Sequence, residues 1–195
     1  YFNEIFLERT VNNIYFDNIF NESFHENAIG LPYRTKFRIR WYGETQSKCK
    51  KPVLEIKSKN GSLGNKRSFP LVPFPLEDIF IRKEFYNILE NSNVPEIIFQ
   101  QLKFLRSYLL NSYKRKYYLS ADKKFRITID KKIKHYEFLR KNNLDLKNFV
   151  NDYNIIMELK YDNQNDFLAN KITNFFPFRL TKSSKYVCGM SGIFN

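Results

Sequence analysis

Basic and apolar side chains alternate along residues 33–41, and the basic ones could bind a phosphate group. Successive side chains of a β-strand point to opposite faces, so a strand here would present its cations on one face and an apolar stripe on the other. Arginine forks bind phosphate oxygens bidentately, which suits this charged face to an anionic ligand. The cations of the segment are Arg34, Lys36, Arg38 and Arg40.

Four later segments repeat this alternation and add acidic residues to the charged face. For any one segment, an ordinary half-buried sheet with its charges towards water would be sufficient. Recurrence over five strands instead favours a charged face that lines a cleft or lumen, with helices covering the apolar side. The charged residues of the four segments are Glu55, Lys57, Arg115, Arg126, Asp130, Glu158 and Lys160.

The charged face holds more cations than its acids can balance. Buried cations need anions, and Glu55, Asp130 and Glu158 are too few for the basic residues of the five strands. The whole chain shows the same excess, with 33 lysines and arginines against 20 acids and a net charge of +13. Charge alone does not choose between nucleic acid, anionic lipid and a phosphate-rich small molecule. The acids could hold Mg²⁺ or Mn²⁺, which bridges phosphates.

The elements that must position these residues follow the order strands, helices, strands. Helices are predicted over residues 76–89, from 95 to about 110, and over 166–174, whereas residues 185–190 are predicted as a strand or loop. This order favours an antiparallel α+β domain over a doubly wound parallel sheet. A closed β-barrel with a charged, wet interior would satisfy the pattern.

Zinc sites and membrane-spanning helices are not indicated by the sequence. Cys49 and Cys188 lie far apart, without the paired spacing of a structural zinc site, and free thiols are the simpler interpretation. No apolar run reaches the roughly 18 residues that a membrane-spanning helix needs.

The ordered set of motifs resembles that of the triphosphate tunnel metalloenzymes, the CYTH-like superfamily. More narrowly, the chain looks like the VTC domain, the catalytic domain of polyphosphate polymerases, on residues 13–17 and 38–43. Each motif alone is weak, but together they span nearly the whole chain in order. The motifs are Arg38-x-Arg40, Glu55-x-Lys57, Lys66 or Arg67, Arg126-x-Thr128-x-Asp130, Glu158-x-Lys160 and Ser184-Lys185-Tyr186.

This resemblance implies an α+β fold, with an antiparallel eight-stranded β-barrel that forms a triphosphate tunnel and helices packed outside. We expect one catalytic tunnel domain over residues 1–195, truncated at its N-terminus. The first tunnel strand of the family supplies a basic ligand, and Glu4 and Glu8 do not replace it.

The resemblance also implies a role for each matched residue, with Mn²⁺ or Mg²⁺ as the cofactor. Glu158 would be the main metal ligand, with Glu55 in support. The residues implied to bind the reacting phosphates are Arg38, Arg40, Lys57, Arg126 and Lys185. Further phosphate-binding residues would be Arg34, Lys36, Lys66, Arg67, Arg115, Lys160 and Lys182, with the choice between Lys66 and Arg67 left open.

The implied function is that of an ATP-dependent polyphosphate polymerase, in which the terminal phosphate of a growing chain attacks the γ-phosphate of ATP. A triphosphatase, which would pass the phosphoryl group to water, is an open alternative, and so is a non-catalytic polyphosphate-binding domain. RNA binding is disfavoured, because the cations alternate with apolar residues instead of exposed aromatics. The expected partners are ATP and polyphosphate, without nucleic acid. The expected location is the cytoplasm, where a separate membrane protein could hold the chain at the inner face of a membrane. The oligomeric state is left open.

Overall fold

The computed structural model describes residues 1–45, 48–61, 63–139, 143–144 and 149–194, in which nine β-strands and five α-helices are found. The strands are β1 (Phe2–Asp17), β2 (Tyr33–Tyr42), β3 (Val53–Asn60), β4 (Leu63–Pro70), β5 (Arg106–Ser120), β6 (Phe125–Leu139), β7 (Asn143–Leu144), β8 (Val150–Asp152) and β9 (Ile156–Tyr161). The helices are α1 (Glu22–Ile29), α2 (Arg82–Asn91), α3 (Glu96–Lys103), α4 (Asp166–Thr173) and α5 (Lys185–Phe194). Short 3-10 turns, Leu76–Phe80 and Asn163–Asn165, precede α2 and α4.

All nine strands of the described part form one antiparallel sheet, as the order of elements predicts. The strand order is β4-β3-β2-β1-β5-β6, and β7, β8 and β9 each pair with β6. The predicted closed barrel of eight strands is wrong for the described residues, because the edge strand β4 pairs with β3 and not with β9. Alternating side chains show which face of a sheet a residue occupies, but they do not show whether two edges of the sheet meet.

One face of the sheet packs against α2, α3 and the turn before α2 to form the main hydrophobic core. Ile14 of β1, Ile39 of β2 and Leu54 of β3 are fully buried in this core. Leu89 of α2 and Leu102 of α3 cover them from the helical side. The prediction that helices cover the apolar face is therefore confirmed.

The second predicted helix ends earlier than its sequence pattern indicates. Helix α3 stops at Lys103, and β5 begins at Arg106. Leu109 and Leu110 are both fully buried but lie in different hydrophobic clusters, because successive strand residues face opposite sides of the sheet. A short apolar run is compatible with the period of a helix or of a strand, and the tertiary contacts decide between the two.

None of the helices in the described ranges is long and apolar enough to cross a membrane.

The C-terminal segment is helical, which corrects the prediction of a strand or loop over residues 185–190. Tyr186 and Met190, four residues apart on one face of α5, are buried against Tyr15 of β1 and Leu109 of β5. A Cβ atom at Gly189 would overlap the side chains of His135 and Leu109, so glycine permits this close approach. Helix α5 therefore lies on the face of the sheet opposite the main core.

Candidate functional site

The face of the sheet opposite the main core, with β9, α4 and the segment leading into α5, encloses a cleft of about 500 Å³. Its wall is strongly unbalanced in charge, because eight basic side chains line it and Glu158 is the one carboxylate among its described lining residues. The basic lining residues are Lys36, Arg38, Arg40, Lys57, Lys66, Arg115, Lys160 and Lys185. Strand alternation thus brings the predicted charged faces of β2, β3, β5 and β9 to one cavity.

Glu55 holds three of the cations at the junction of β2, β3 and β4. The Nε atom of Arg38 donates to Oε2 of Glu55 at 2.6 Å, and Lys66 pairs with Oε1. Nη1 of Arg40 lies 3.7 Å from the same carboxylate. Burial raises the pKa of Glu55, but the charges of Arg38, Arg40 and Lys66 outweigh it and lower the pKa to about 2. Glu55 is therefore ionised, and both of its oxygens are already occupied by cations.

Neutral amides also orient Arg40, and they make shorter contacts with it than Glu55 does. Its Nε atom donates to Oδ1 of Asn13 at 2.8 Å, and Nδ2 of Asn13 donates to Oδ1 of Asn111 at 2.9 Å. Asn13 and Asn111 are fully buried and face each other across β1 and β5. This chain of hydrogen bonds fixes the orientation of the guanidinium.

A second ion-paired group joins the sheet to α5. Arg115 donates to both carboxylate oxygens of Asp130, from Nε at 2.5 Å and from Nη2 at 2.7 Å. Nζ of Lys185, the first residue of α5, lies 2.6 Å from Oδ2 of Asp130. Burial raises the pKa of Asp130, but Arg115 and Lys185 lower it overall. One carboxylate thus positions two cations from elements that are distant in sequence.

Lys36 and Lys57 are cleft cations that no ion pair of the described residues includes. Burial and the nearby charge of Arg38 lower the pKa of Lys57 to about 8, although Glu158 opposes this. Burial likewise lowers the pKa of Lys36, whose ammonium donates to Ser184 Oγ at 3.2 Å. A polyanion in the cleft would relieve this repulsion, because it supplies the negative charge that the protein lacks.

The register of the β3–β4 hairpin shows which of the predicted phosphate-binding residues of β4 faces the cleft. Lys66 pairs with Lys57 and faces the cleft, whereas Arg67 pairs with Ile56, which is buried in the main core. Arg67 therefore lies on the opposite face from the cleft. Arg34 lies at the outer end of β2, in a second cavity of about 360 Å³ that also includes Lys36, Lys57 and Lys66.

Two other predicted ligands stand apart from the cleft wall. Arg126 shares a face with Asp130 but lies four residues before it, near the start of β6, where its side chain is exposed and outside the lining residues. Lys182 approaches Gly30, just after the C-terminus of α1, where its charge complements the helix dipole. Neither side chain is brought to the cleft in the way that Arg38 and Arg115 are.

The predicted metal ligands fit a divalent cation only in part. The described residues contain no group of three or more His, Cys, Asp or Glu side chains able to hold a metal. Both oxygens of Glu55 are engaged by cations. Glu158 is more open, with Lys160 Nζ 3.4 Å from Oε2, and Lys160 and Arg115 lower its pKa although burial raises it. Mg²⁺ often takes one or two carboxylates and completes its shell with phosphate oxygens and water, which Glu158 could serve.

Four further residues at or behind the cleft wall had no role assigned from sequence: Asn13, Tyr15, Asp17 and Tyr186. Tyr15 lines the cleft and stacks on Tyr186 of α5, with ring centroids 5.0 Å apart. The Tyr186 hydroxyl donates to Oδ2 of Asp17 at 2.6 Å, and the same carboxylate accepts from the backbone of Ser23 and Phe24 in α1. Asn13, Tyr15 and Asp17 share one face of β1, and this alternation was the available signal.

Known proteins share both the sequence pattern and the fold of this chain. Residues 4–194 match the VTC domain, so the chain belongs to the VTC domain family, and the resemblance seen in the sequence is confirmed. A solved structure, the putative adenylyl cyclase HpAC1 from Hippeastrum, described as having a dominant triphosphatase activity, is similar with a TM-score of 0.58. The two share 14% identity, and the match covers 97% of this chain and 85% of that one, which shows a common fold. No curated protein matches the chain.

Proposed function

We propose that the cleft binds a linear phosphate chain and that the protein is an ATP-dependent polyphosphate polymerase. The supporting observation is that eight basic side chains line the cleft against three carboxylates of the described residues, Glu158 in the lining and Glu55 and Asp130 paired behind it. Membership of the VTC domain family favours polyphosphate as the polyanion. The protein would bind ATP and polyphosphate, would not bind nucleic acid, and would have a separate membrane protein as its partner.

In the proposed reaction, an oxygen of the terminal phosphate forms a bond to the γ-phosphorus of ATP while the bond to the β-γ bridging oxygen breaks and ADP leaves. Phosphoryl transfer needs positioning and charge stabilisation more than a side-chain nucleophile. Arg38, Arg40 and Arg115 are already oriented by hydrogen bonds before a ligand binds. Lys36 and Lys57 would neutralise charge on the reacting phosphates. Such preorganisation favours the transition state, because the cations need not move during the reaction.

Glu158 is the residue that we propose as the ligand of Mn²⁺ or Mg²⁺. A bound divalent cation would neutralise phosphate charge beside the cleft cations. Glu55 would instead act by orienting Arg38 and Lys66, because its oxygens are already paired with them.

Triphosphate hydrolysis is the second candidate, and the described activity of HpAC1 favours it. The same cleft would bind the same phosphate chain, and water would replace the terminal phosphate as the acceptor. The charged wall serves either acceptor equally well, so the products of the reaction must separate the two.

Incubation of the protein with ATP and Mn²⁺, with products analysed on polyacrylamide gels and by a free-phosphate assay, tests the proposal. Long-chain polyphosphate is expected, whereas free phosphate without chains would establish a triphosphatase. ATP binding without turnover would point to a non-catalytic binding domain. Glu158→Gln should abolish turnover, and Glu90→Gln on α2, exposed and remote from the cleft, is the matched control because it makes the same substitution.

A further inference from the structure

Beyond the cleft cations, the same face of the sheet carries an aromatic cluster made of Phe6, Arg9, Tyr42 and Tyr117. The guanidinium carbon of Arg9 lies 4.3 Å from the ring centroid of Phe6 and 5.8 Å from those of Tyr42 and Tyr117. Phe6 and Tyr117 meet edge to face at 5.7 Å. One planar cation is therefore surrounded by three rings.

Register places the whole cluster on the cleft face. Tyr42 lies two residues after Arg40, and Tyr117 lies two residues after Arg115, so each shares the face of a cleft-lining arginine. Phe6 pairs with Tyr117, and Arg9 pairs with Arg115. The irregularity between Phe6 and Arg9 turns both side chains to this face, although three positions separate them. Bulges of this kind re-aim side chains next to functional sites.

The cluster adjoins the cation-lined cleft through Arg115. Arg115 lies 5.2 Å from the ring of Tyr113, which lines the cleft, and 5.9 Å from the ring of Tyr117, which belongs to the cluster. Along β5, two residues separate Arg115 from Tyr117, or about 7 Å. A ribose with one phosphate can bridge such a gap.

Two rings of the cluster are exposed to solvent, and the charge of Arg9 has no carboxylate partner among the described residues. Phe6 is 46% exposed and Tyr42 is 45% exposed. No ion pair of the described residues includes Arg9, since Glu4 and Glu8 pair with Lys116 and Lys131. Flat aromatic and guanidinium surfaces stack on nucleobases without selecting one base strictly.

We propose that this aromatic cluster is the base-binding subsite for a nucleoside triphosphate whose phosphates lie in the cleft. The inference rests on the proposed function, because it takes the cleft as the site of the phosphates. It assigns the two ends of the cleft different ligands, with the base at the Phe6 end and phosphates alone at the outer end of β2 and β3, near Arg34 and Lys59.

Calorimetric titration of the full chain with ATP and with inorganic tripolyphosphate tests the subsite. In a Phe6→Leu/Tyr42→Leu double variant, ATP affinity should fall about tenfold through lost base stacking, whereas tripolyphosphate affinity should not change. Retained tripolyphosphate binding also shows that the variant is folded. Arg9→Lys, which keeps the charge but removes the planar guanidinium, should lower the affinity for ATP and not the affinity for tripolyphosphate. Phe104→Leu, at a ring 78% exposed after α3, is the control and should change neither ligand.

An unchanged ATP affinity in the double variant, or an equal loss for ATP and tripolyphosphate, would overturn the base-binding subsite and leave the proposed function standing. If tripolyphosphate fails to bind the unmodified protein, the cleft is not a phosphate-binding site, and both the proposed function and the base-binding subsite are wrong.

Discussion

The two faces of the central sheet use the same strands, yet apolar packing stabilises one face, and ion pairs and hydrogen bonds position the side chains of the other. On β2, Ile39 is fully buried in the main core, while its neighbours Arg38 and Arg40 project into the cleft. A fully buried side chain of this size stabilises the fold by about 1.5–3 kcal/mol. The arginines instead require Glu55 and Asn13 to hold them, and their charges repel other cations of the wall. The core face therefore supplies stability, and the cleft face keeps unbalanced charge in place for a ligand.

The largest effect on folding is expected from the core face. Ile39→Ala should lower the free energy of unfolding by about 2–5 kcal/mol, because it leaves a cavity among closely packed side chains. Urea denaturation measures this loss. The tripolyphosphate affinity of the folded fraction should be unchanged, and a large loss of affinity would show that the two faces are not independent.

The converse effect is expected from the adjacent residue on the cleft face. Arg38→Ala should weaken tripolyphosphate binding by roughly 10- to 100-fold, the range expected when a hydrogen bond to a charged group is lost. It should destabilise the fold less than Ile39→Ala does, since Lys66 and Arg40 still accompany Glu55.

Arg126→Ala is the matched comparison for Arg38→Ala, and tripolyphosphate calorimetry measures both. Arg126 is exposed and lies outside the cleft lining, so its loss should cost less affinity. An equal loss for the two variants would place Arg126 within the phosphate site.

The pH dependence of binding should report on Lys57. Its pKa is lowered from 10.5 to about 8, so above pH 8 the free protein carries a neutral amine that must take up a proton to hold a phosphate. Tripolyphosphate affinity should therefore fall by up to about tenfold per pH unit above that value. Calorimetry of Lys57→Arg, run in parallel, should lack this contribution, and identical profiles for the two proteins would exclude Lys57.

The lowered pKa of Lys57 affects the stability of the fold in the opposite direction: binding weakens as the pH rises, whereas the fold gains stability. The unfolded chain binds more protons than the folded one between pH 8 and pH 10.5, so this group's contribution to stability should rise with pH across that window.

The smallest effect should distinguish the two sides of β4. Lys66→Gln should reduce tripolyphosphate affinity by about two- to fivefold, a size typical of a partly exposed charge pair. Arg67→Gln should leave it unchanged, because Arg67 lies on the other face. Calorimetry that shows the larger loss for Arg67 would contradict the register of this hairpin.

Several residues of the cleft could be predicted from sequence because they depend on alternation within one strand. Arg38, Arg40, Glu55 and Lys57 lie on the face that their spacing indicates, and all but Glu55 line the cleft. Others depend on contacts between distant segments. Lys185 reaches Asp130 only because α5 packs across the cleft face, and Glu55 turns out to be occupied by cations.

The amino-acid residues alone were enough to predict the alternation of faces, the antiparallel α+β order, the charge surplus and the VTC family. These properties follow from the spacing of residues within single elements and from the overall composition. The folded structure was needed to show that the described sheet stays open between β4 and β9, that Lys66 and not Arg67 faces the cleft, and that Phe6 joins Arg9 on that face. The reason is that register, edge pairing and bulges arise from contacts between segments far apart in the chain, which no local pattern records.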